Sequence, residues 1–495
     1  GIKDPETGSA NWTDVRQFNL MFKTELGAVS GDAGVIYLRP ETAQGIFVNF
    51  NKLLAFNYGR MPFAGAQIGT GFRNEIAPRA GLLRVREFCM AEIEHFVNPQ
   101  RKEHANFKSV ADKELVLFGR ADQLGSGKTK KLTCKEAVAT GLVNNETLCY
   151  FMARTQLYME RIGMDPERLR FRQHLETEMA HYAADCWDLE IQSSYGWQEC
   201  VGHADRACYD LDVHAKATKT SMVATEAVDP PVEVTVAKLT FNRKLLGQHF
   251  KADQRTVSRQ LEALAEDWKD FEIVAKALEE EGAYDLNGFA ITKDMVSWTK
   301  QQKKIHEVKF TPSVIEPSFG MGRILYSLLE HSFYVRESDE QRVVMRFLPA
   351  VAPEKCVVLP ISSNPECNAV VDAIAADLLD TDLATRVDKS TAAIGRRYAR
   401  ADEVGIPFAV TVDFDSIKDD TVTMRERDST QQVRMPKSEV TTSVWQMVHG
   451  KKTWADMVAK FGLVGGGEGE EEGEKPATVV ETNSRGSFRR PNPEA

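Results

Sequence analysis

Residues 69–96 read GTGFRNEIAPRAGLLRVREFCMAEIEHF, and this stretch predicts two strands joined by a loop that turns at Pro78 and Gly81. Side chains alternate between the two faces of a strand, so Arg73 and Glu75 share one face of the first strand. One face of the second strand carries Arg84, Arg86, Phe88, Met90, Glu92 and Glu94. Apolar residues are unusual on a solvated face, and charges are costly in a plain core. The mixture therefore predicts the floor of a ligand-binding site.

The arginines of this hairpin favour a phosphate ligand. An arginine donates two parallel hydrogen bonds from a planar fork, which matches the geometry of a phosphate group. Phe88 lies between arginines and glutamates, where it can stack on a base. From spacing alone a second interpretation stays open, in which the hairpin carries cross-strand ion pairs on a solvated face.

Further segments of the chain match one family in order. They are RPETAQG at 39–45, FRNE at 72–75, RVREF at 84–88, SSYGW at 193–197, ADR at 204–206, EPSFGMGR at 316–323 and IGRRYARADE at 394–403. FRNE with RVREF resembles motif 2 of the class II aminoacyl-tRNA synthetases, and EPSFGMGR resembles their motif 3. Over about residues 18–460, the set is similar to the glycyl-tRNA synthetases of the eukaryotic and archaeal type.

The resemblance implies an α/β (α+β) fold, with an antiparallel class II sheet flanked by helices, helical insertions and a C-terminal α/β anticodon-binding domain. We expect the catalytic domain over residues 1–345, with insertions at about 97–170 and 216–300, and the anticodon-binding domain over 346–462. Residues 463–495 include GGGEGEEEGE and have too few apolar residues to form a core. We expect them to be a disordered acidic, glycine-rich tail.

The resemblance implies that the chain activates glycine with ATP and Mg²⁺ to glycyl-adenylate, and then transfers glycine to the 3′ end of tRNA(Gly). It extends to a side activity, the synthesis of diadenosine tetraphosphate. The resemblance also implies that Arg73, Arg323 and Glu199 are the catalytic residues of the chain. Arg73 would contact the α-phosphate of ATP, and Arg323 the terminal phosphate. The expected ATP-binding residues are Arg73, Asn74, Glu75, Arg84, Val85, Glu199, Cys200 and Arg323. Glu199 is also the expected Mg²⁺ ligand, since this ion takes carboxylates together with phosphate oxygens.

Glycine presents an ammonium group and no side chain, so its site needs negative charge and enough bulk to exclude larger amino acids. The resemblance places Glu41, Glu92, Glu316, Pro317 and Ser318 around it. No general base is evident in the sequence. We therefore expect the chemistry to rest on orientation and charge stabilisation.

In the C-terminal region, Arg396, Arg397 and Arg400 have helical spacing and predict one basic face, while Arg425 and Arg427 alternate along a predicted strand. By resemblance, we expect these five arginines to bind the anticodon. Single-stranded RNA is commonly bound by stacking and by basic residues on its phosphates. For each arginine, a solvated and ion-paired role stays open.

Composition and charge disfavour several other classes of protein. The 495 residues carry a formal net charge of −10, which disfavours a basic nucleic-acid coat protein, and no apolar run is long enough to span a membrane. The eight cysteines are scattered, which is typical of reduced thiols. No zinc is expected, because Cys200, His203 and Cys208 lack a fourth ligand. We expect a cytoplasmic protein, and a mitochondrial form stays open.

Two features of the sequence depart from the family. The residues before Arg39 do not resemble motif 1, which builds much of the class II dimer interface, and the chain begins with Gly1. We expect a homodimer for the full-length protein. For this chain we expect either a truncation or a dimer made differently.

Two rival functions stay open. One is a synthetase-like protein that binds nucleic acid without catalysis, such as an accessory subunit of a DNA polymerase. Such relatives lose catalytic positions, whereas Arg73, Glu92 and Arg323 are present here. The other is a class II synthetase for a different amino acid, against which Glu41 and the segment EPSFG argue.

Overall fold

A computed structural model of the chain describes residue 3 and residues 8–10, 18–27, 34–337 and 339–464. The chain divides into two compact units, with the boundary between His331 and Ser332. The expected disordered tail falls almost wholly on residues 465–495, which lie outside the described residues.

The first unit alternates strands and helices. Its described strands are β1 (Lys23–Glu25), β2 (Val35–Tyr37), β3 (Phe63–Phe72), β4 (Glu87–Val97), β5 (Glu114–Phe118), β6 (Lys130–Thr133), β7 (Leu169–Gln173), β8 (Asp185–Ser193), β9 (Gly196–Ala207), β10 (Ala224–Phe241), β11 (Ala283–Leu286), β12 (Phe289–Thr292), β13 (Val296–Phe310) and β14 (Ser313–Gly320). Its described helices are α1 (Ala43–Phe47), α2 (Phe50–Phe56), α3 (Arg120–Leu124), α4 (Cys134–Ala139), α5 (Glu146–Ile162), α6 (Tyr209–Thr218), α7 (Arg243–Phe250), α8 (Gln254–Ala265), α9 (Trp268–Glu280) and α10 (Met321–Ser332). Short 3₁₀ helices lie at Phe107–Ser109, Pro166–Arg168 and Lys251–Asp253.

An eight-stranded sheet with the order β3-β4-β14-β9-β8-β7-β5-β6 forms the centre of this unit. Its neighbouring strands are antiparallel except for β5 and β7. The segment before α1 lies close against β3, where a Cβ atom on Gly69 would come within 2.5 Å of the Arg39 guanidinium. Glycine at this position therefore lets the RPET segment approach the sheet.

The register of the central strands places residues of three strands side by side. Glu92 of β4 lies opposite Ser318 of β14, and Ser318 lies opposite Gly202 of β9. Met90 lies opposite Gly320 in the same ladder. Residues two apart on each strand share a face, so the side chains that begin at Glu92 continue toward Met90 on the same side of the sheet.

The predicted hairpin is shorter than its sequence suggests. β3 ends at Phe72 and β4 begins at Glu87, so the prediction that Arg73 and Arg84 lie on strands is wrong. Both lie in the connecting loop, whose turn includes Ala80 and Gly81 with φ near +58°. Backbone bonding between the two arms continues only briefly, as in the bond from the Arg73 N–H to the Arg86 carbonyl at 2.9 Å.

The segment predicted as a helical insertion at 97–170 contributes to the main sheet instead. β5 and β6, which arise from it, extend the sheet beyond β7. Leu115 and Leu117 alternate with less buried residues along β5, which is the period of a strand. The helical prediction holds for α5, whose 17 residues bury one side.

The second predicted insertion, 216–300, is only partly helical. β10 and β13 form a long antiparallel ribbon, and β11 pairs with β12. Helices α7, α8 and α9 pack beside the ribbon around a separate apolar cluster that includes Leu246, Val257, Leu261, Phe271 and Leu278. The sequence signal for β13 was obscured because most of its side chains are exposed and polar.

The described part of the second unit is a compact α/β arrangement. Its strands are β15 (Phe333–Arg336), β16 (Asp339–Met345), β17 (Cys356–Pro360), β18 (Thr385–Val387), β19 (Phe408–Val412), β20 (Thr421–Glu426) and β21 (Gln432–Pro436). Its helices are α11 (Pro365–Leu379), α12 (Ile394–Glu403), α13 (Phe414–Lys418), α14 (Val440–Val448) and α15 (Trp454–Phe461), with a 3₁₀ helix at Lys437–Glu439.

A mixed five-stranded sheet, β18-β17-β19-β20-β21, has apolar clusters on both faces. Val358 and Val410 belong to one cluster, and their neighbours Val357 and Ala409 belong to the other. β15 and β16 pair with each other, and Arg336 bonds to Asp402 of α12 at 3.0 Å. These contacts place residues 332–345 in the second unit, whereas the sequence predicts them in the first.

No helix among the described residues is both long enough and apolar enough to cross a membrane.

Candidate active site

Glu92 is the most constrained of the predicted glycine-binding residues. It is 1% exposed, and its Oε2 accepts hydrogen bonds from the backbone N–H of Thr42 at 2.6 Å and from the Thr42 hydroxyl. Its Oε1 accepts a hydrogen bond from the hydroxyl of Ser318 at 3.0 Å. The RPET segment and β14 thus fix the carboxylate from two sides.

Glu316 lies beside Glu92 in a charged network that the sequence did not fully reveal. Its carboxylate accepts a hydrogen bond from Nη1 of Arg206 at 2.7 Å. Nε and Nη2 of Arg206 donate to both carboxylate oxygens of Asp210, and the guanidinium lies 4.2 Å from the ring centre of Tyr182. Burial raises the pKa of Glu316 to about 7, although the charge of Arg206 opposes the shift. The available signal for Arg206 was its place in the matched ADR segment.

Glu94 is a further acid of this network, and no role was predicted for it. The residue is fully buried, and neither carboxyl oxygen has a hydrogen-bond partner among the described residues. Burial raises its pKa well above the usual range of a glutamate, and the charge of Glu316 raises it further. Its place on the same strand face as Glu92 was the only sequence signal.

The other two predicted glycine-binding residues are Glu41 and Pro317. Glu41 is half-buried and accepts a hydrogen bond from the side-chain amide of Gln44. The next residue, Thr42, bonds to Glu92, so the backbone of Glu41 lies beside the acidic network. The charge of Glu41 contributes to the raised pKa of Glu316.

Pro317 is buried in β14. The structure therefore brings Glu41, Glu92, Glu316 and Ser318 to one region, whereas the Pro317 ring lies on the opposite face of β14, beside His203. The prediction of Pro317 as a side-chain contact is wrong, because neighbouring residues of a strand point to opposite faces.

Arg73 belongs to a second region of the site, which is more open to solvent than the acidic region around Glu92. Its guanidinium lies 5.5 Å from the ring centre of Phe88, and its Nε donates to the carbonyl of Pro40 at 3.4 Å. The side chain is half-buried, and the contacts with Phe88 and Pro40 orient it without an acidic partner in the described residues. Such an arginine has donors available for an anion.

The remaining loop residues of the prediction are less enclosed. Asn74, Glu75 and Val85 are half-buried, and Arg84 is exposed. The amide of Asn74 donates to the carbonyl of Asn19 at 3.0 Å, so it stabilises the base of the loop. These four residues share the loop between β3 and β4 and leave it accessible from solvent.

Arg323 joins this open region from helix α10. Its Nη1 donates to the backbone carbonyl of Glu199 at 2.7 Å, and its Nε donates to the carbonyl of Leu83 at 3.1 Å. The Glu199 carboxylate lies 3.7 Å from Arg323, and its side chain is 57% exposed. An exposed carboxylate beside phosphate-binding donors has the oxygen chemistry that Mg²⁺ prefers.

Cys200 was predicted beside ATP, but its thiol is directed elsewhere. The residue is 3% exposed, and its Sγ lies 3.9 Å from the hydroxyl of Ser327 on α10. Burial raises the pKa of the thiol to about 12, so it is not a ready nucleophile or metal ligand. Any ATP contact at this position would involve its backbone.

The acidic and basic regions follow one another along the same strands. Glu92 follows Phe88 by four positions on β4, a distance of roughly 13 Å along an extended strand. On β14 the order is the same, since Ser318 is followed by Gly320 and then by Arg323 at the start of α10. The face can therefore hold an elongated ligand with a cation at one end and anions along its length.

Comparison with known proteins shows the family of the chain. A family model described as the tRNA synthetase class II core domain (G, H, P, S and T) matches residues 22–332, and one described as an anticodon binding domain matches residues 355–446. The chain belongs to the class II tRNA synthetases. The match confirms the predicted family and its pairing of a class II core with an anticodon-binding domain.

Three relatives from different organisms are each named glycine–tRNA ligase. The chain is 50% identical to a glycine–tRNA ligase of Caenorhabditis elegans, covering 93% of this chain and 62% of that protein. It is 50% identical to one of Bombyx mori, covering 93% and 63%, and 41% identical to one of Methanocaldococcus jannaschii, covering 89% and 76%. The chain thus spans less than two thirds of the first two relatives. A solved prolyl-tRNA synthetase of Cryptosporidium parvum overlaps with a TM-score of 0.46 at 11% identity, covering 87% of this chain and 64% of that one, a likeness too weak to bear an argument.

Three of the five arginines predicted at the anticodon site of this synthetase are interior residues. Arg425 forms two bonds to the Asp402 carboxylate, at 2.9 and 3.0 Å. Arg397 donates to the carbonyl of Pro360, and Arg427 donates to the carbonyls of Gly405 and Phe347 and to the Asp428 carboxylate. All three are less than 5% exposed, so their guanidinium groups are not available to RNA.

Arg396 and Arg400 are the exposed pair of the five. The prediction of one basic face on α12 failed at Arg397 because adjacent residues on a helix point about 100° apart, and Arg397 turns inward. Arg425 lies on β20, where Val422 to Arg425 are all buried, and Arg427 follows the end of that strand at Glu426.

The first unit also contains three residues with metal-ligand chemistry that were not predicted as a group from the sequence. His174, Cys186 and Asp188 have ligand atoms within 4.8 Å of one another. They differ from the Cys200, His203 and Cys208 set, in which His203 is fully buried and bonds to the Thr155 hydroxyl. Nε2 of His174 already bonds to Asp188 at 2.7 Å, so this group forms a hydrogen-bonded pair as it stands.

Proposed function

We propose that this chain is a glycine–tRNA ligase, which activates glycine with ATP and transfers the glycyl group to the 3′ end of tRNA(Gly). One observation carries the proposal: a buried acidic site on β4 and β14 is followed by accessible arginines in the loop that precedes β4 and on the helix that follows β14. The names of the relatives support glycine as the amino acid.

The acidic region is the proposed glycine site. Glu41, Glu92 and Glu316 supply negative charge for the ammonium group, and their partial burial strengthens the attraction. The Ser318 hydroxyl borders the same place, whereas the Pro317 ring lies on the opposite face of β14. A small site bordered by the acids and by Ser318 excludes amino acids with larger side chains, which favours glycine.

The open region is the proposed nucleotide site. Arg73 is placed on the α-phosphate and Arg323 on the terminal phosphate, while the loop residues Asn74, Glu75, Arg84 and Val85 border the base and phosphates. The glycine carboxylate attacks the α-phosphorus, a new O–P bond forms, and the bond to the departing pyrophosphate breaks. Negative charge spreads over the phosphate oxygens during this step, and fixed cations stabilise it.

Glu199 is the proposed protein ligand for the Mg²⁺ that enters with ATP as part of the substrate. Its exposed carboxylate stands next to Arg323, where an ATP phosphate would approach. Magnesium commonly takes one or two carboxylates and completes its shell with phosphate oxygens and water. No further metal is part of the proposal, and zinc is not required by any step.

In the second step, a hydroxyl of the terminal tRNA ribose attacks the carbonyl carbon of glycyl-adenylate and releases AMP. The second unit is proposed to bind the anticodon, and Arg396 and Arg400 are its proposed basic contacts. The buried Arg397, Arg425 and Arg427 support the fold of that unit instead.

Three expectations remain proposals about the complete protein. We propose a homodimer, a cytoplasmic location with a mitochondrial form open, and diadenosine tetraphosphate synthesis as a side activity. The last would follow from attack of a second ATP on the adenylate in place of tRNA. Each can be measured on the full-length protein by mass in solution, by cell fractionation and by product analysis.

Glycine-dependent ATP–pyrophosphate exchange on this chain tests the proposed function. We expect exchange with glycine and little with serine, alanine or proline. Exchange with one of the other amino acids would assign the chain to a different class II activity. A folded dimer without exchange would favour the rival, a synthetase-like protein that binds nucleic acid without catalysis.

A further inference from the structure

Glu94 is a buried acid that the proposed chemistry does not use. It lies two residues after Glu92 on β4, is 0% exposed and has no hydrogen-bond partner for either carboxyl oxygen among the described residues. A buried carboxylate without partners is strongly disfavoured relative to the neutral acid. The geometry therefore points to a protonated Glu94 when the site holds no ligand.

The charged groups around Glu94 are mostly acids. They are Glu92 on β4, Glu316 on β14, Arg206 on β9 and Asp210 on α6, and Glu41 and Tyr182 act on the same network through Glu316 and Arg206. Gly65 lies opposite Glu94 on β3 and brings no charge. Arg206 is the cation of this group, and its donors already serve Asp210 and Glu316. The network is thus short of positive charge until a cationic ligand enters.

We propose that binding of the glycine ammonium group releases a proton from this site, and that the carboxyl group of Glu94 is the main source of the proton. The inference rests on the proposed function, since it needs the ammonium group beside Glu92 and Glu316. The ammonium brings one positive charge into the network, the O–H bond of Glu94 breaks, and the proton passes to solvent. Glu94 is a positioning residue here, because it acts on the ligand through the charge of the site.

Both acids have raised pKa values. Burial raises the pKa of Glu316 to about 7, and burial together with the charge of Glu316 raises the pKa of Glu94 well above its usual range. Carboxylates attract an ammonium group only when ionised, so the KM for glycine falls as pH rises through each pKa. Full release of one proton changes the KM by about tenfold per pH unit. Because the two acids interact, this slope belongs to the pair, and a variant without the Glu94 acid separates its share.

The variant Glu94→Gln tests the assignment, because it keeps the size of the side chain and removes its proton. For the unsubstituted protein, we expect the KM for glycine in ATP–pyrophosphate exchange to fall about three- to tenfold between about pH 7.5 and about pH 8.5. For Glu94→Gln, we expect a change of less than about twofold over that range. The amine of glycine titrates identically in both experiments, and the KM for ATP serves as the internal reference.

Two further variants control the experiment. Glu94→Asp retains a titratable acid and should retain the slope, whereas a purely structural role would not distinguish Asp from Gln in this way. Glu103→Gln removes an exposed acid on the same unit and should behave as the unsubstituted protein. Calorimetric titration with glycine in two buffers of different ionisation enthalpy measures the released proton directly.

Equal slopes for the unsubstituted protein and Glu94→Gln would overturn the inference and leave glycine activation standing. If Glu94→Gln does not fold, calorimetry compares the unsubstituted protein with Glu94→Leu, which also lacks the acid and leaves no polar group buried. Proton release by the unsubstituted protein that Glu94→Leu lacks supports the inference, and equal release by both overturns it. Absence of all glycine-dependent exchange would instead contradict the proposed function, and the inference with it.

Discussion

The two ends of the central sheet face hold their charges in opposite ways. At the acidic end, Glu92, Glu316 and Arg206 are buried, and internal hydrogen bonds orient each of them. At the basic end, Arg84 and Glu199 are exposed, and Arg323 is oriented by backbone carbonyls. The first arrangement is fixed before a ligand arrives, whereas the second remains open to solvent.

This difference matches what each end has to recognise. Glycine offers one ammonium group and no side chain, so strong selection needs charges in a partly dehydrated site, where electrostatic attraction is larger. A nucleotide phosphate chain is long and highly charged, and exposed arginines can bind it without burial of unpaired charge. Substitutions at the acidic end should therefore change folding stability and glycine binding, while those at the basic end should change nucleotide or Mg²⁺ binding and the chemical step with little effect on folding stability.

The largest expected effect concerns Arg206. Arg206→Leu leaves Asp210 and Glu316 buried without their cation, so we expect the free energy of unfolding of the chain to fall by about 3–5 kcal/mol. Urea unfolding measures it. Arg84→Leu, at the basic end, should change the same quantity by less than about 0.5 kcal/mol. A loss below about 1 kcal/mol for Arg206→Leu would show that the acidic end is not held by this network.

The next effect concerns Glu92. Glu92→Gln keeps the shape of the side chain but removes the charge, and its amide cannot accept all the hydrogen bonds that Thr42 and Ser318 donate. We expect the KM for glycine to rise about 100-fold, which corresponds to about 3 kcal/mol, with the KM for ATP changed by less than about twofold. Exchange kinetics measure both constants. An equal rise in the two constants would contradict the separation of the two ends.

Arg73 tests the basic end. Arg73→Ala should lower adenylate formation at least about tenfold, since a charged hydrogen bond contributes about 1.5–3 kcal/mol. Its free energy of unfolding should stay within about 1 kcal/mol of the unsubstituted chain. Arg259→Ala, an exposed arginine of α8, is the matched control and should retain full exchange. Near-normal exchange by Arg73→Ala would remove Arg73 from the phosphate site.

A smaller effect is expected at Glu199. Glu199→Gln weakens one exposed carboxylate ligand, so the Mg²⁺ concentration for half-maximal exchange should rise about three- to fivefold, or ~1 kcal/mol. The measurement is a Mg²⁺ titration at fixed ATP. An unchanged midpoint would show that the ion is held by ATP and water without this residue.

The smallest effect extends the comparison to the second unit. Arg400 is exposed, so Arg400→Ala should raise the KM for tRNA about two- to fivefold and leave glycine-dependent exchange unchanged. Arg425→Ala should instead destabilise the unit by about 1–3 kcal/mol, because Asp402 loses one buried partner and keeps its bond to Arg336. Equal effects of the two variants on tRNA binding at full stability would contradict their assignment as surface and interior residues.

Local sequence patterns predicted much of this fold. The alternation along residues 87–97 placed Phe88, Met90, Glu92 and Glu94 on one face, and the register of β4 agrees. The ends of the hairpin were not predictable from alternation, because the loop arms continue the strand pattern after ladder pairing has stopped. The β13 arm of the ribbon was missed for a related reason, since its exposed polar side chains lack the period that burial imposes on a strand. In β10, Val232, Val234 and Val236 do alternate with polar residues, and this signal was overlooked.

The site was predicted less completely than the fold. Glu92, Glu316 and Ser318 were found because matched motifs contain them, and the structure brings them together. Arg206 and Glu94 went unassigned because their importance arises from burial and from partners far away in sequence. Burial also explains the error at Arg425: a strand pattern shows which residues share a face, but it does not show whether that face is covered.

The most direct test is a crystal structure of this chain with a non-hydrolysable analogue of glycyl-adenylate. We expect the ammonium group of the analogue to lie against Glu92 and Glu316, and its phosphate mimic to lie within hydrogen-bond distance of Arg73. Both ends of the ligand would then lie on the face defined by β4, β14 and β9. An analogue bound with its ammonium group at the arginine end, or away from this face, would contradict the account.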